Sequence, residues 1–259
     1  MTAPQTATLD SRVSHILALL KNEDLSTREE AFADTMSLIS EERVGVSKTD
    51  VFSAFSARHP DQAARVKLGL IQLLQREDGV FVKGKPATLE EEDGEYYAEL
   101  IDIVASFDDQ RAIAPLVGAM TTGGMAQGGL LKYGDKALGP VMEQLNNPDG
   151  LVRATALDIT TALLAKHNDS ASRGRVRDLI RSFLKDPDLV VRGDAVRQIS
   201  CLDDRQDFVP VLEQFAKTDR DKLPGKALDG GDGDEFYPVR ADARAVLRHI
   251  KNNQACTEP

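Results

Sequence analysis

The chain has 259 residues, a formal net charge of −10 and no tryptophan. This length is close to the limit at which a single core divides, unless the architecture is a barrel or a repeat array. The negative charge argues against nucleic acid and anionic membranes as partners, because both reward Lys and Arg by releasing counterions. The sequence has no run of about 18 to 20 apolar residues, so it predicts no membrane insertion.

The ends of the chain and its cysteines bear on its compartment. Met1 to Asp10 shows neither the basic nor the apolar region of a signal peptide. Residues 1–9 and 254–259 are predicted to be flexible tails. Cys201 and Cys256 lack C-x-x-C spacing and are too few for a disulfide scaffold, which predicts a half-buried core thiol and a tail thiol. A cytoplasmic localisation is the default, and an exported mature form stays open.

Helical periodicity begins near the N-terminus. Apolar residues at i, i+3, i+4 and i+7 predict amphipathic helices at residues 10–22, from Ser26 onwards, at 49–58 and at 61–76. Ser26 followed by Glu29 has the spacing of a capping box, which predicts that Ser26 caps the second helix. The apolar run Val80 to Val82 lies between two glycines and predicts a short β-like excursion, too small to make a sheet.

The second half of the chain repeats itself. Further helices are predicted near 97–104, 110–120 and 135–145, and Pro148 to Ala156 then matches Pro187 to Ala195. Pro238 to Ala243 is a third copy, and residues 78–93 and 219–235 are predicted insertions. Prolines 115, 140 and 210 stand where the second helix of each pair is expected to start, because a first helical turn tolerates the missing N–H. A period near 40 with two helices per unit is typical of HEAT and armadillo arrays.

The Val-Arg-x-x-Ala pattern after Pro-Asp resembles the HEAT-like repeats of the phycobilisome-lyase type, most clearly over residues 100–250. The resemblance implies an all-α, right-handed α-α superhelix, a HEAT-like solenoid of about five to six helix pairs that forms one domain over residues 10–253. It also implies that the first helix of each pair is convex and the second concave. Arg153 and Arg192 would bond to acidic side chains or turn carbonyls within and between repeats. The third copy departs from the pattern, because Tyr237 replaces the aspartate found at Asp149 and Asp188.

Catalytic signatures are missing from the sequence. The histidines, at positions 15, 59, 167 and 249, form no paired metal-binding spacing, unlike the His-Glu pairs of the HEAT-like deoxyhypusine hydroxylases. An acidic chain without tryptophan also fits poorly with the HEAT-like alkylpurine DNA glycosylases. The run Gly123 to Gly129 lacks the lysine of a phosphate-binding loop, and close helix packing or a loose short repeat explains it. We therefore predict no catalytic residues, no cofactor and no resident metal.

One helix reverses the charge of the chain. Arg173, Arg177 and Arg181 recur at i, i+4 and i+8 on a helix that the resemblance places on the concave side. A solvated face paired with neighbouring acids is the simpler interpretation. Our functional hypothesis is that these arginines bind an acidic segment of a partner. The predicted function is a non-enzymatic protein- or peptide-binding scaffold or adaptor, and the alternative is a HEAT-like lyase or other enzyme acting on a chromophore or small ligand.

The acidic insertion is a weak candidate for a calcium site, with Asp229, Asp232 and Asp234 as oxygen ligands. It lacks the register of an EF-hand, and a solvated turn rich in Asp and Gly explains it better. We therefore expect that neither calcium nor excess chelator changes the melting temperature in differential scanning fluorimetry. A calcium-dependent rise that disappears when all three aspartates are replaced by asparagine would establish the site.

Overall fold

The structure is a computed structural model, and it describes residues 8–41, 51–84, 91–122, 124–222 and 237–254. Within these ranges the chain forms thirteen α-helices joined by short 3-10 and π-helical turns, and it has no strand. The all-α prediction is therefore confirmed. None of the helices in the described ranges is long and apolar enough to cross a lipid bilayer.

The residues fall into two compact units, 1–137 and 138–259. The helices of the first unit are α1 (Leu9–Leu19), α2 (Leu25–Ser40), α3 (Val51–Arg58), α4 (Pro60–Asp78), α5 (Glu91–Ala105), α6 (Ile113–Gly118) and α7 (Gly124–Tyr133). Helix α8 (Asp135–Glu143) contains the division. The second unit continues with α9 (Gly150–Ala165), α10 (Ser170–Phe183), α11 (Leu189–Gln198), α12 (Val209–Thr218) and α13 (Pro238–Lys251).

Helix α2 begins one residue earlier than its predicted cap. Its N-cap is Asp24, whose side chain accepts a hydrogen bond of 2.9 Å from the backbone N–H of Thr27. The prediction that Ser26 caps this helix in a capping box with Glu29 is therefore wrong. Asp24, two residues before Ser26, caps the helix instead. Its negative carboxylate also interacts favourably with the positive end of the helix dipole.

The β-like excursion predicted at Val80 to Val82 is also wrong. Helix α4 runs on into a π-helical segment, Gly79–Gly84, so these residues stay helical. Phe81 lies flat on the ring of Tyr97 in α5, with 4.6 Å between the ring centroids and 5° between the planes. This stacking supplies a packing reason for the additional turn.

The Gly-rich run forms helix α7, and one of its glycines is needed for close packing. A Cβ atom on Gly129 would lie 2.8 Å from the Cβ of Ala105 in α5. This agrees with the interpretation that small residues let two helices approach. Among the three prolines, Pro115 and Pro210 lie in the first turns of α6 and α12 as predicted. Pro140 does not, because α8 already begins at Asp135.

The second unit is built in two layers. Helices α9, α11 and α13 pack side by side, α10 packs against α9 and α11, and α12 packs against α13. The three predicted repeat copies are the N-terminal turns of α9, α11 and α13. Asp149 and Asp188 cap the first two, each accepting a 2.8 Å bond from the backbone N–H two residues later. The repeat pattern therefore marks three successive helix starts in one layer.

Two neighbouring valines in the first turn of α11 test which face of this helix is buried. Val191 is fully buried, whereas Val190 is 42% exposed. Val191→Ala should lower the free energy of unfolding by about 1–4 kcal/mol, because the lost methyl groups leave a cavity. Val190→Ala is the matched control and should change it by less than about 0.5 kcal/mol. Urea unfolding measures both variants, and equal unfolding midpoints would mean that the assigned face is not buried.

Candidate functional site

An arginine in the first turn of α9 joins two repeat copies. Arg153 donates hydrogen bonds to the backbone carbonyls of Asn147 (2.8 Å) and Pro148 (3.0 Å), which lie in the turn before the helix. Its remaining donors reach the carboxylate of Asp186 at 2.9 and 2.7 Å. Asp186 begins the turn before α11, so the arginine of one copy binds the acid of the next. The bonds implied by the resemblance are thus present at Arg153.

The next copy repeats the arrangement. Arg192 donates to the carbonyls of Asp186 and Pro187, both at 2.9 Å, and to the carboxylate of Asp219 at 3.2 Å. It also forms an ion pair with Asp221. The third copy differs, as its sequence suggests. There the arginine, Arg240, donates to the backbone carbonyl of Asp219 and lies over the ring of Tyr237, with its Cζ 3.9 Å from the centroid.

The first unit contains a fourth copy that the sequence analysis missed. Arg28 in α2 donates to the carbonyls of Asn22 (3.0 Å) and Glu23 (2.8 Å) and to the carboxylate of Glu77 (2.5 and 3.1 Å). Both side chains of this ion pair are almost completely buried. The shared signal is Asp-x-x-x-Arg-x-x-Ala, here ending at Ala31, but Glu and Thr replace the Pro and Val of the other copies.

The three arginines of the functional hypothesis are not one free row. Successive members at i+4 turn by about 40° around the axis of α10, so the three side chains spread over about 80° of the helix surface. Each meets a partner within the unit: Asn168 for Arg173, Asp204 for Arg177 and the ring of Phe208 for Arg181. Arg181 is exposed and is the one that lines a groove.

That groove, called here the α10–α12 groove, has a volume of about 700 Å³. Its wall is mainly apolar, formed by Leu184, Phe208, Pro210, Val211 and Phe215. Phe208 and Leu184 are buried and belong to the helix packing beneath it. A cleft of this size, with an apolar surface and a few polar groups, is typical of ligand and peptide sites.

The charges at the α10–α12 groove are mostly positive. Three cations line it, Arg181, Lys185 and Arg220, against two acids, Asp207 and Asp219. Asp219 is already bonded to Arg192. Arg28, Arg153 and Arg192, with the carboxylates that they bind, are called here the arginine ladder. The groove therefore offers net positive charge on a chain whose net charge is −10.

A second groove, called here the α8–α10 groove, has a volume of about 680 Å³ and lies on the other side of α10. Apolar side chains form most of it: Met142, Leu145, Pro148, Leu179, Phe183 and Pro187. Its two charged groups, Arg153 and Asp186, neutralise each other at 2.7 Å. Each groove thus contains one carboxylate that binds a ladder arginine, Asp186 in this groove and Asp219 in the first. Unlike the first groove, this one has no net charge.

A pair of aspartates lies apart from both grooves, in the layer of α9, α11 and α13. Asp158 and Asp194 share a hydrogen bond. Arg197 donates to Asp194 at 3.0 Å and to Asp242 at 2.9 Å, and Gln198 donates to Asp158. Asp194 is only 5% exposed.

This environment favours one proton on the pair of carboxyl groups. Burial, together with the negative charge of Asp158, raises the pKa of Asp194 to about 8. Burial also raises the pKa of Asp158. Since two adjacent carboxylates resist ionising together, the pair retains a proton at neutral pH. Neither groove reaches these side chains. We interpret the pair as a structural contact between helices α9 and α11 rather than as an acid or base in a reaction.

Several predictions fall on residues outside the described ranges. They are the calcium hypothesis at Asp229, Asp232 and Asp234, the tail thiol at Cys256, most of the predicted flexible tails, and parts of the insertions at 78–93 and 219–235. The calcium hypothesis stands as stated from the sequence. Cys201 is described: it is exposed and disulfide-bonded, so the prediction of a half-buried core thiol is wrong for this residue.

No family model matches the chain, and no curated protein shows significant similarity to it. Most of the lining of the two grooves had no sequence signal, because Phe208 and Phe215 approach α10 only after folding. The pair formed by Asp158 and Asp194, called here the acid pair, had a weak sequence signal, because both are polar residues in otherwise apolar helix faces.

The acid pair predicts a specific dependence of stability on pH. The folded protein holds a proton that the unfolded chain, with an aspartate pKa near 4, releases, so stability should fall as the pH rises from about 4 to 8. The maximal slope for one proton is about 1.4 kcal/mol per pH unit. Asp194→Asn should remove this component, because an amide can still accept from Arg197 and donate to Asp158. It should already be more stable than the wild type at pH 5, and the difference should grow as the pH rises to 8.

Urea unfolding of both proteins at pH 5, 6, 7 and 8 measures the difference. Comparing the two proteins cancels the other titrating groups. Asp178→Asn, at an exposed position on α10, is the matched control and should follow the wild type. A stability difference between wild type and Asp194→Asn that stays constant with pH would contradict the shared proton.

Proposed function

We propose that this chain is a non-enzymatic adaptor that binds an acidic segment of a protein or peptide partner in the α10–α12 groove. The observation that carries the proposal is the combination of an apolar wall with a cationic rim on a strongly acidic chain. Apolar contacts supply affinity, and the guanidinium groups select carboxylates with directed hydrogen bonds. The remaining negative surface disfavours long polyanions, so nucleic acid is not the proposed partner.

The proposal includes the architecture. We infer a HEAT-like solenoid of five to six helix pairs, in which such grooves recur between successive helices. Four arginines with the same two carbonyl contacts or the same place in the motif support it: Arg28, Arg153, Arg192 and Arg240. Helical repeats of this kind typically present extended binding surfaces. The default compartment in this proposal is the cytoplasm.

Among the three arginines of the sequence hypothesis, Arg181 is assigned the contact with the partner. Arg177 is paired with Asp204, and Arg173 is bonded at the start of its own helix. Arg181 stacks on Phe208, which holds the guanidinium at the groove while its donors stay available to a ligand. Lys185 and Arg220 complete the rim.

The test uses a phage library of random dodecapeptides selected on the full chain. We expect enrichment of acidic peptides that carry apolar residues. The double variant Arg181→Glu, Lys185→Glu should raise the Kd of a selected peptide by more than about tenfold, or about 1.4 kcal/mol, and should reduce its dependence on salt.

The matched control reverses two exposed cations of α13, Arg248→Glu and Lys251→Glu. It makes the same change in net charge away from the groove and should leave the Kd within about twofold, once salt screens the long-range field. Fluorescence anisotropy measures all three proteins, and circular dichroism checks their helix content. The proposal fails if no peptide is enriched, or if the groove variant binds as tightly as the control.

A further inference from the structure

The arginines at the rim of the α10–α12 groove differ from most others in the chain, because they have no acceptor. Almost every arginine in the described ranges donates a hydrogen bond or forms an ion pair, and the exceptions are Arg181, Arg220 and Arg248. Two of these three line the α10–α12 groove. Lys185, one turn after Arg181, also lines it and has no side-chain hydrogen bond or ion pair with a described residue. On a chain with 42 acidic residues, such a concentration of unpaired cations indicates a binding surface for an anion.

The charges that line the groove leave two positive charges without a counterion. Asp219 is bonded to the arginine ladder, so Asp207 is the remaining acid against the three cations of the rim. A carboxylate brings one negative charge and two oxygens. A phosphate monoester brings a charge of about −1.5 to −2 and three acceptor oxygens on a single side chain. A phosphorylated residue therefore matches the surplus at one point of the groove.

Arg181 and Lys185 are placed so that both can reach the same anion. They are four residues apart on α10, and the Cβ atoms of such a pair lie about 5–6 Å apart. Both side chains are exposed. The Arg181 guanidinium lies over the ring of the buried Phe208, with Cζ 5.3 Å from the centroid, which restrains it while its N–H groups stay unpaired. A guanidinium can bind two phosphate oxygens at once, and the lysine ammonium adds a further contact.

We propose that the segment bound in the α10–α12 groove is phosphorylated, and that Arg181 and Lys185 bind the phosphoryl group of a phosphoserine or phosphothreonine. A neighbouring apolar side chain of the segment packs on Val211 and Phe215, which are partly exposed on the groove wall. This inference rests on the proposed function, because it names the chemistry of the segment that the groove would bind. Binding then depends on a kinase that modifies the partner, so the adaptor distinguishes a modified partner from an unmodified one.

Peptides that differ at one position test the chemistry of the anion. Three dodecapeptide libraries with the same random flanks carry phosphoserine, glutamate or serine at the centre. The best binders of the phosphoserine and glutamate libraries are each resynthesised in all three forms and measured by fluorescence anisotropy with the full chain. The phosphoserine form should bind at least about fivefold more tightly than the glutamate form and at least about twentyfold more tightly than the serine form, because it brings more charge and more oxygens.

The pH dependence of binding identifies the phosphoryl group independently. The second pKa of a phosphate monoester is about 6, so lowering the pH from 7.5 to 5.5 converts most of it to the monoanion. The affinity of the phosphoserine form should then fall by about threefold or more. The glutamate form, with a pKa near 4.3, stays ionised over this range and should change much less. Comparing the two forms on the same protein cancels the titration of the protein itself.

Variants of single arginines test the assigned contact. Arg181→Gln should reduce the preference for phosphoserine over glutamate to less than about twofold, because the paired donors are lost. Arg181→Lys keeps the charge without the planar guanidinium and should give an intermediate preference. Arg248→Gln is the matched control, since it removes an exposed, unpaired arginine of α13 that lines neither groove. It should retain the full preference, and circular dichroism checks the helix content of all variants.

The outcomes separate the two proposals. If the glutamate form binds as tightly as the phosphoserine form and both depend on Arg181, the phosphorylation inference is wrong and the adaptor proposal stands. The inference is also wrong if the preference survives in Arg181→Gln. Inorganic phosphate should compete at least about tenfold less effectively than the phosphopeptide, because it lacks the apolar contacts. Equal competition would mean a site for free phosphate, which contradicts the inference. If no peptide of any form binds, both proposals are wrong.

Discussion

The structure depends on an arginine that follows the capping aspartate by four residues in three of the repeat copies. Carbonyl groups in the turn before a helix have no partner inside that helix, and leaving them unpaired in a packed interior is costly. Arg28, Arg153 and Arg192 each bind two such carbonyls and keep two further donors for carboxylates 27 to 49 residues later, one carboxylate for Arg28 and Arg153 and two for Arg192. One side chain thereby closes a turn and fixes the neighbouring helix. Removing it would leave a buried carboxylate without its cation, which is the most expensive way to break such a pair.

The same arrangement positions both grooves. Asp186 and Asp219, which accept from the ladder arginines, lie at the ends of the α8–α10 and α10–α12 grooves. Because these acids are satisfied by arginines, they contribute little negative potential to the grooves. The α8–α10 groove is thus nearly neutral, and the α10–α12 groove is left with the cations of its rim. Structure and recognition use the same acids, which explains how an acidic chain can present a positive site.

Much of the fold followed from the sequence, because it is governed by local chemistry. Apolar periodicity located the helices, and Asp149 and Asp188 were placed before α9 and α11 by their repeat spacing. The copy at Arg28 was missed because its turn and first helical residues differ, although its contacts are the same. Asp158 and Asp194 are 36 residues apart and so escape a search at the repeat period of 39. The grooves depend on how far apart α8, α10 and α12 lie, which no local pattern encodes.

In the arginine ladder, each arginine binds a carboxylate that lies later in the chain. This order affects how a chain of this kind can gain or lose repeats in evolution. The copy that starts at Asp186 contains the acceptor for the arginine before it and, in Arg192, the donor for the acid after it. A tandem duplication of this segment would therefore bring one new cation and one new anion, already in register with their neighbours. Loss of an internal copy removes one of each. Gain or loss of whole copies thus keeps the interior electrically balanced, whereas an insertion of any other length would strand a charge.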